Sequence, residues 1–88
     1  INCARGPIID TNALIDALNS GQVDSAGLDV FEEEPLSKDA AILQCENIIL
    51  TPHCADSTPE GIDYLNEGTV KNVLAFIKGA PRNVVTPN

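Results

Sequence analysis

Apolar residues in this chain alternate between short runs and longer helical stretches, with turn-forming residues between them. Ile1–Ala4 reads as a strand fragment, halted by the breaker Gly6-Pro7. Asp10 or Thr11 then caps a helix whose Leu14, Ile15 and Leu18, with Ala13 and Ala17, share one face, and Gly21 closes it. Ala26–Phe31 (AGLDVF) reads as a short buried strand, and Glu32–Leu36 as an acidic turn around Pro35. Ser37–Leu43 has room for one or two helical turns, and Asn47–Leu50 (NIIL) is a third strand run stopped by Thr51-Pro52. The best-marked element comes last. Thr58 as N-cap, Pro59 at the first helical position and Glu60 in the first turn open it. Ile62, Leu65, Thr69, Val73, Phe76 and Ile77 then recur at helical spacing until Gly79, which predicts a helix of about twenty residues.

Strand, helix, strand, short helix, strand, long helix is the order of parallel βαβ units with right-handed crossovers. The expected class is α/β: a partial Rossmann-like open parallel sheet of about three strands with helices. Parallel sheets are normally covered on both faces, and so few strands cannot supply that cover. The chain also has no Met and starts inside an apolar run. Both features lead to the expectation of a fragment of a larger doubly wound domain.

Charge and cysteine usage narrow the partners. Thirteen acidic against five basic residues give a net charge of −8, which argues against nucleic acid or an anionic membrane as partner, since each needs a basic face. A 43% hydrophobic composition is enough for collapse, and no apolar run reaches the length of a membrane span. Cys3, Cys45 and Cys54 are odd in number and lack CxxC spacing, so they read as reduced thiols of a cytoplasmic protein. A zinc set of Cys3, Cys45, His53 and Cys54 is set aside, because neighbours in a strand-like run point to opposite sides. No metal is expected.

Open parallel sheets bind ligands beyond the carboxyl ends of their strands. Arg5 follows the first run, Asp29 lies late in the second and His53 follows the third, so all three belong to one edge, within reach of Glu34 on the turn after the second run. An Arg, a His and two carboxylates around a cleft suit acid–base chemistry on an anionic substrate. Each has a plainer reading: Arg5 as a surface charge, His53 as a loop imidazole, Glu34 as part of a solvated run Glu32-Glu33-Glu34. Asp29 fits a plain reading least, because a carboxylate between Leu28 and Val30 in a buried strand needs partners.

These residues carry a family resemblance. Asn2-Cys3-Ala4-Arg5-Gly6, then Asp10, Ala26–Phe31 with Glu34-Pro35, Thr51-Pro52-His53 and Thr58-Pro59-Glu60 resemble the D-isomer-specific 2-hydroxyacid dehydrogenases. The match is in order and in spacing, with twenty-three residues between Arg5 and Asp29 and four between Asp29 and Glu34. It implies that residues 1–79 are the C-terminal half of a dinucleotide-binding domain and 80–88 a tail leading toward a substrate domain. It also implies NAD, or NADP, as cofactor, and a small 2-oxo or 2-hydroxy acid as substrate. The intact protein is expected to be a cytoplasmic homodimer, and the isolated 88 residues inactive.

By the same resemblance His53 is the acid–base residue and Glu34 its carboxylate partner, while Arg5 binds the substrate carboxylate. Cys3, Ala4, Arg5, Asp29 and His53 line the cofactor cleft, with Asp29 toward the nicotinamide. The Gly-rich phosphate turn is absent from these residues, and Cys54-Ala55-Asp56 departs from the family's commoner aliphatic and glycine pattern. The alternative is a non-catalytic relative acting as an NAD-sensing corepressor or scaffold.

Overall fold

The computed structural model describes residues 1–87. The chain divides into two compact units, Ile1–Ala55 and the remainder from Asp56.

The first unit holds helix α1 (Thr11–Ser20) and two strands, β1 (Ala26–Leu28) and β2 (Ile48–Leu50). The strands pair in parallel, Ala26 with Ile48, Gly27 with Ile49 and Leu28 with Leu50. The expected first strand contracts to one parallel bridge, Asn2 with Leu28, held by Asn2 N–H to the Gly27 carbonyl at 2.9 Å and Asp29 N–H to the Asn2 carbonyl at 3.0 Å. It goes no further because the Asn2 side chain turns the chain at once: its amide donates to the Arg5 carbonyl and its oxygen accepts from Ala4 N–H. The second strand stops at Leu28 rather than Phe31, and the helical turn expected over 37–43 is a 3₁₀ turn at Ala41–Gln44.

Local chemistry explains α1. Asp10 is the N-cap, accepting from Ala13 N–H at 3.0 Å, and Gly21 closes the helix in the left-handed region at φ 76°. A distant residue adds a second cap, since the Glu32 carboxylate accepts from both N–H and Oγ1 of Thr11 at 3.0 and 3.2 Å. Leu18, Leu28, Val30 and Ile42 form the core, where α1 meets the 3₁₀ turn at Ala41–Gln44.

The second unit is helix α2 (Pro59–Ile77) and the segment after it. Thr58 caps it by accepting from Gly61 N–H, Pro59 opens it and Glu60 lies in its first turn, as its sequence predicts. Gly79 follows its end at φ 71°. An i,i+4 pair, Glu67 with Lys71 at 2.6 Å, lies on its surface. None of its residues is buried, and its apolar stripe stays open, Leu65 at 51% and Phe76 at 73% exposure. No helix among the described residues is long and apolar enough to cross a membrane. Of the expected tail 80–88, Asn88 lies outside the described residues.

Candidate active site

The site forms where the parallel strands end. Glu34 lies on the turn after β1 and His53 on the loop after β2. His53 Nδ1 and Glu34 Oε2 are 2.7 Å apart, and the other Glu34 oxygen accepts from Phe31 N–H at 2.9 Å. A peptide N–H thus orients the carboxylate that orients the imidazole. Among the described residues Glu34 is the only hydrogen-bond partner of the ring, which leaves Nε2 available to a ligand.

The electrostatics follow from that contact. The bond to Glu34, reinforced by its charge, raises the His53 pKa, while the bond to His53 and then the Phe31 N–H lower that of Glu34. Arg5 lowers both, so its charge reaches the pair although its guanidinium donates to the adjacent Ala4 carbonyl, at 2.6 Å. Glu34, with a depressed pKa, supports the fold above its ordinary 4.5, and this support is lost as pH falls through the depressed value. His53, with a raised pKa, supports it below its ordinary 6.5, and this is lost as pH rises through the raised value. The ion pair therefore holds the site best between those limits.

Asp29 is buried, and the partners its position demands are present. Thr51 Oγ1 and Cys54 N–H donate to Oδ1 at 2.5 and 2.9 Å, and Ala55 N–H donates to Oδ2 at 2.8 Å. The Thr51 hydroxyl first, then the Cys54 N–H, hold its pKa down at about 2 against the opposing effect of burial. His53, between these donors, has φ 54°, a left-handed conformation that favours glycine. The 51–55 segment is therefore a turn and not the strand-like run expected of His53-Cys54. Among the described residues no three His, Cys, Asp or Glu side chains gather to hold a metal.

Beside the pair is a cleft of about 410 Å³, walled mainly by Phe31, Pro35, Leu36, Leu43, Leu50 and Pro52. Glu34, Thr51 and His53 are its polar members. Cys3, Ala4 and Arg5 are exposed, on the turn after the Asn2 bridge.

Sequence reasoning gave three supporting residues no role in the site. Asn2 is 6% exposed and shapes the turn that carries Arg5. Gly6 lies against the Phe31–Glu32 backbone. Thr51 follows Leu50, the partner of Leu28, so the parallel register itself places it beside Asp29. That register was the available signal for Thr51; nothing local marks Asn2, and Gly6 is marked only as a chain breaker.

Residues 1–55 match the profile of the D-isomer specific 2-hydroxyacid dehydrogenase, NAD binding domain. The chain belongs to that family. Among curated relatives it is 44% identical over 88 residues to glyoxylate/hydroxypyruvate reductase B of Cronobacter sakazakii, covering 99% of this chain and 27% of the relative. It is 47% identical over 79 residues to a probable 2-ketogluconate reductase of Dictyostelium discoideum, covering 90% of this chain and 24% of the relative. Among solved structures, a D-isomer specific 2-hydroxyacid dehydrogenase from Xanthobacter autotrophicus, in complex with NADPH, superposes with a TM-score of 0.74 at 40% identity, over 98% of this chain and 35% of that one. The chain thus spans about a quarter of the length of these curated relatives. The expected family and its Rossmann-like fold class stand.

Proposed function

We propose that these residues form the catalytic edge of the NAD(P)-binding domain in a longer reductase that converts a small 2-oxo acid to its D-2-hydroxy acid. The observation that carries the reading is the 2.7 Å His53–Glu34 contact, with Arg5 acting electrostatically on both members. Residues 1–79 are assigned to the dinucleotide-binding domain and 80–88 to the tail toward the substrate domain.

A bound nicotinamide cofactor supplies the hydride. The exposed turn of Cys3, Ala4 and Arg5, together with Asp29 and His53 at the ends of neighbouring parallel chain segments, suits its nicotinamide end. Arg5 binds the substrate carboxylate through its forked donors and polarises the carbonyl. His53, held protonated by Glu34, delivers its Nε2 proton to the carbonyl oxygen as negative charge develops there. In the reverse direction the neutral ring takes that proton back. The intact protein is assigned to the cytoplasm as a homodimer.

The relatives' names make glyoxylate, hydroxypyruvate and 2-ketogluconate the first substrates to test. The full-length protein should oxidise NADH or NADPH in the presence of at least one small 2-oxo acid, followed at 340 nm. No turnover with any of them would favour a nucleotide-sensing scaffold instead. Arg5→Lys should raise KM for the 2-oxo acid by about tenfold, with a smaller loss in kcat, because a point charge replaces a bidentate fork. Glu34→Gln should move the alkaline limb of the reduction profile to lower pH. The reason is that reduction needs imidazolium, and removing the neighbouring negative charge lets the ring lose its proton earlier. A profile overlaying wild type would return Glu34 to a solvated acidic turn.

A further inference from the structure

Asp29 stands one residue beyond the Leu28–Leu50 pair and is 3% exposed. Its donors come from both sides of His53: the Thr51 hydroxyl from before it, the Cys54 and Ala55 N–H groups and the Cys54 thiol from after it. Between them His53 is bent into the left-handed region at φ 54°, and its Nδ1 meets a carboxylate carried on a different turn. These bonds fix the backbone on both sides of His53, and with it the point from which the half-exposed imidazole reaches Glu34. We infer that Thr51 is a positioning residue for His53, acting through the Asp29 carboxylate that fastens both flanks of the 51–55 loop.

The inference rests on the acid–base role given to His53 above. Two of the donors use side chains, and the Thr51 hydroxyl acts on Asp29 more strongly than the Cys54 thiol, so it is the one to remove without touching the backbone or the acceptor. Valine keeps the β-branched shape and lacks the hydroxyl, so Asp29 loses a partner and the loop can relax. Serine restores the donor. The charged groups that act on His53 are Glu34, Asp29 and Arg5. None changes in these variants, so a shift of the imidazole titration reports altered geometry.

In the full-length protein, Thr51→Val should lower kcat for 2-oxo acid reduction by about tenfold, as expected of a slightly misplaced acid, and leave Kd for NADH within about twofold. It should also lower the His53 imidazole pKa followed by NMR, the resonance being assigned by its absence from His53→Ala. Thr51→Ser should recover most of both, and Thr51→Ala replaces the valine variant if that fails to fold. An unchanged imidazole pKa overturns the inference, as does an equal loss in Thr51→Ser or a loss confined to NADH affinity. Wild-type turnover in His53→Ala would instead overturn the acid–base reading, while the imidazole pKa in Thr51→Val would still decide whether Thr51 holds the ring.

Discussion

His53→Ala in the full-length protein is expected to reduce kcat for 2-oxo acid reduction by about 10²–10⁴-fold, the usual worth of a positioned general acid. No second imidazole exists among these 88 residues to take over the proton. Glu34 cannot replace it. Without His53 it loses the contact that most depresses its pKa, but it keeps the Phe31 N–H and remains a carboxylate at neutral pH. The loss in kcat should far exceed any loss of NADH affinity if the ring's proton goes to the substrate oxygen. The backbone adds a small complication, since alanine must hold φ 54°, which costs any residue with a Cβ about 1–2 kcal/mol and which histidine tolerates somewhat better. His53→Asn separates the two effects, because asparagine tolerates the left-handed region better. Both variants should lose turnover alike if chemistry dominates. Wild-type kcat in either would remove His53 from the mechanism.

Gly6→Ala is expected to be among the most destabilising single changes available in the first unit, on the order of 4 kcal/mol or more. A Cβ at Gly6 would run into the Phe31 carbonyl group and the Glu32 nitrogen, and all of these are backbone atoms that no rotamer change can move. The chain beyond Arg5 must therefore move away from the turn that carries Glu34. Denaturant unfolding should show a much reduced midpoint or no cooperative transition. Gly68→Ala in α2, where an added Cβ meets nothing within 4 Å, should show the opposite sign, a gain of up to about 1 kcal/mol from helix propensity. A Gly6→Ala protein with wild-type stability would mean that the approach of these two segments is adjustable.

The contrast between these positions shows what a sequence discloses. The caps Asp10, Gly21, Thr58 and Pro59 were legible because capping is settled within four residues of the helix end. The meeting of Glu34 and His53 could be anticipated because the turns after neighbouring parallel strands lie at one edge. The extent of the first strand was not legible, since Asn2 ends it through hydrogen bonds to Ala4 and Arg5 that its neighbours do not announce. The partners of Asp29 lie 22 to 26 residues away, and two of them are peptide N–H groups, which every residue but proline carries. The left-handed turn at His53 likewise results from those distant bonds, with no turn-forming residue of its own to signal it.

The acidic turn after β1 looks replaceable when judged by composition, but its arithmetic is rigid. Glu32 reaches back to Thr11, and Glu34, two positions on, takes the Phe31 N–H with one oxygen and His53 with the other. Adding or deleting a single residue between them would exchange or misplace these two carboxylates even if every glutamate were retained. For anyone grafting tags, shuffling homologous segments or diversifying loops around this cleft, Glu33 offers a choice of side chain but not of chain length.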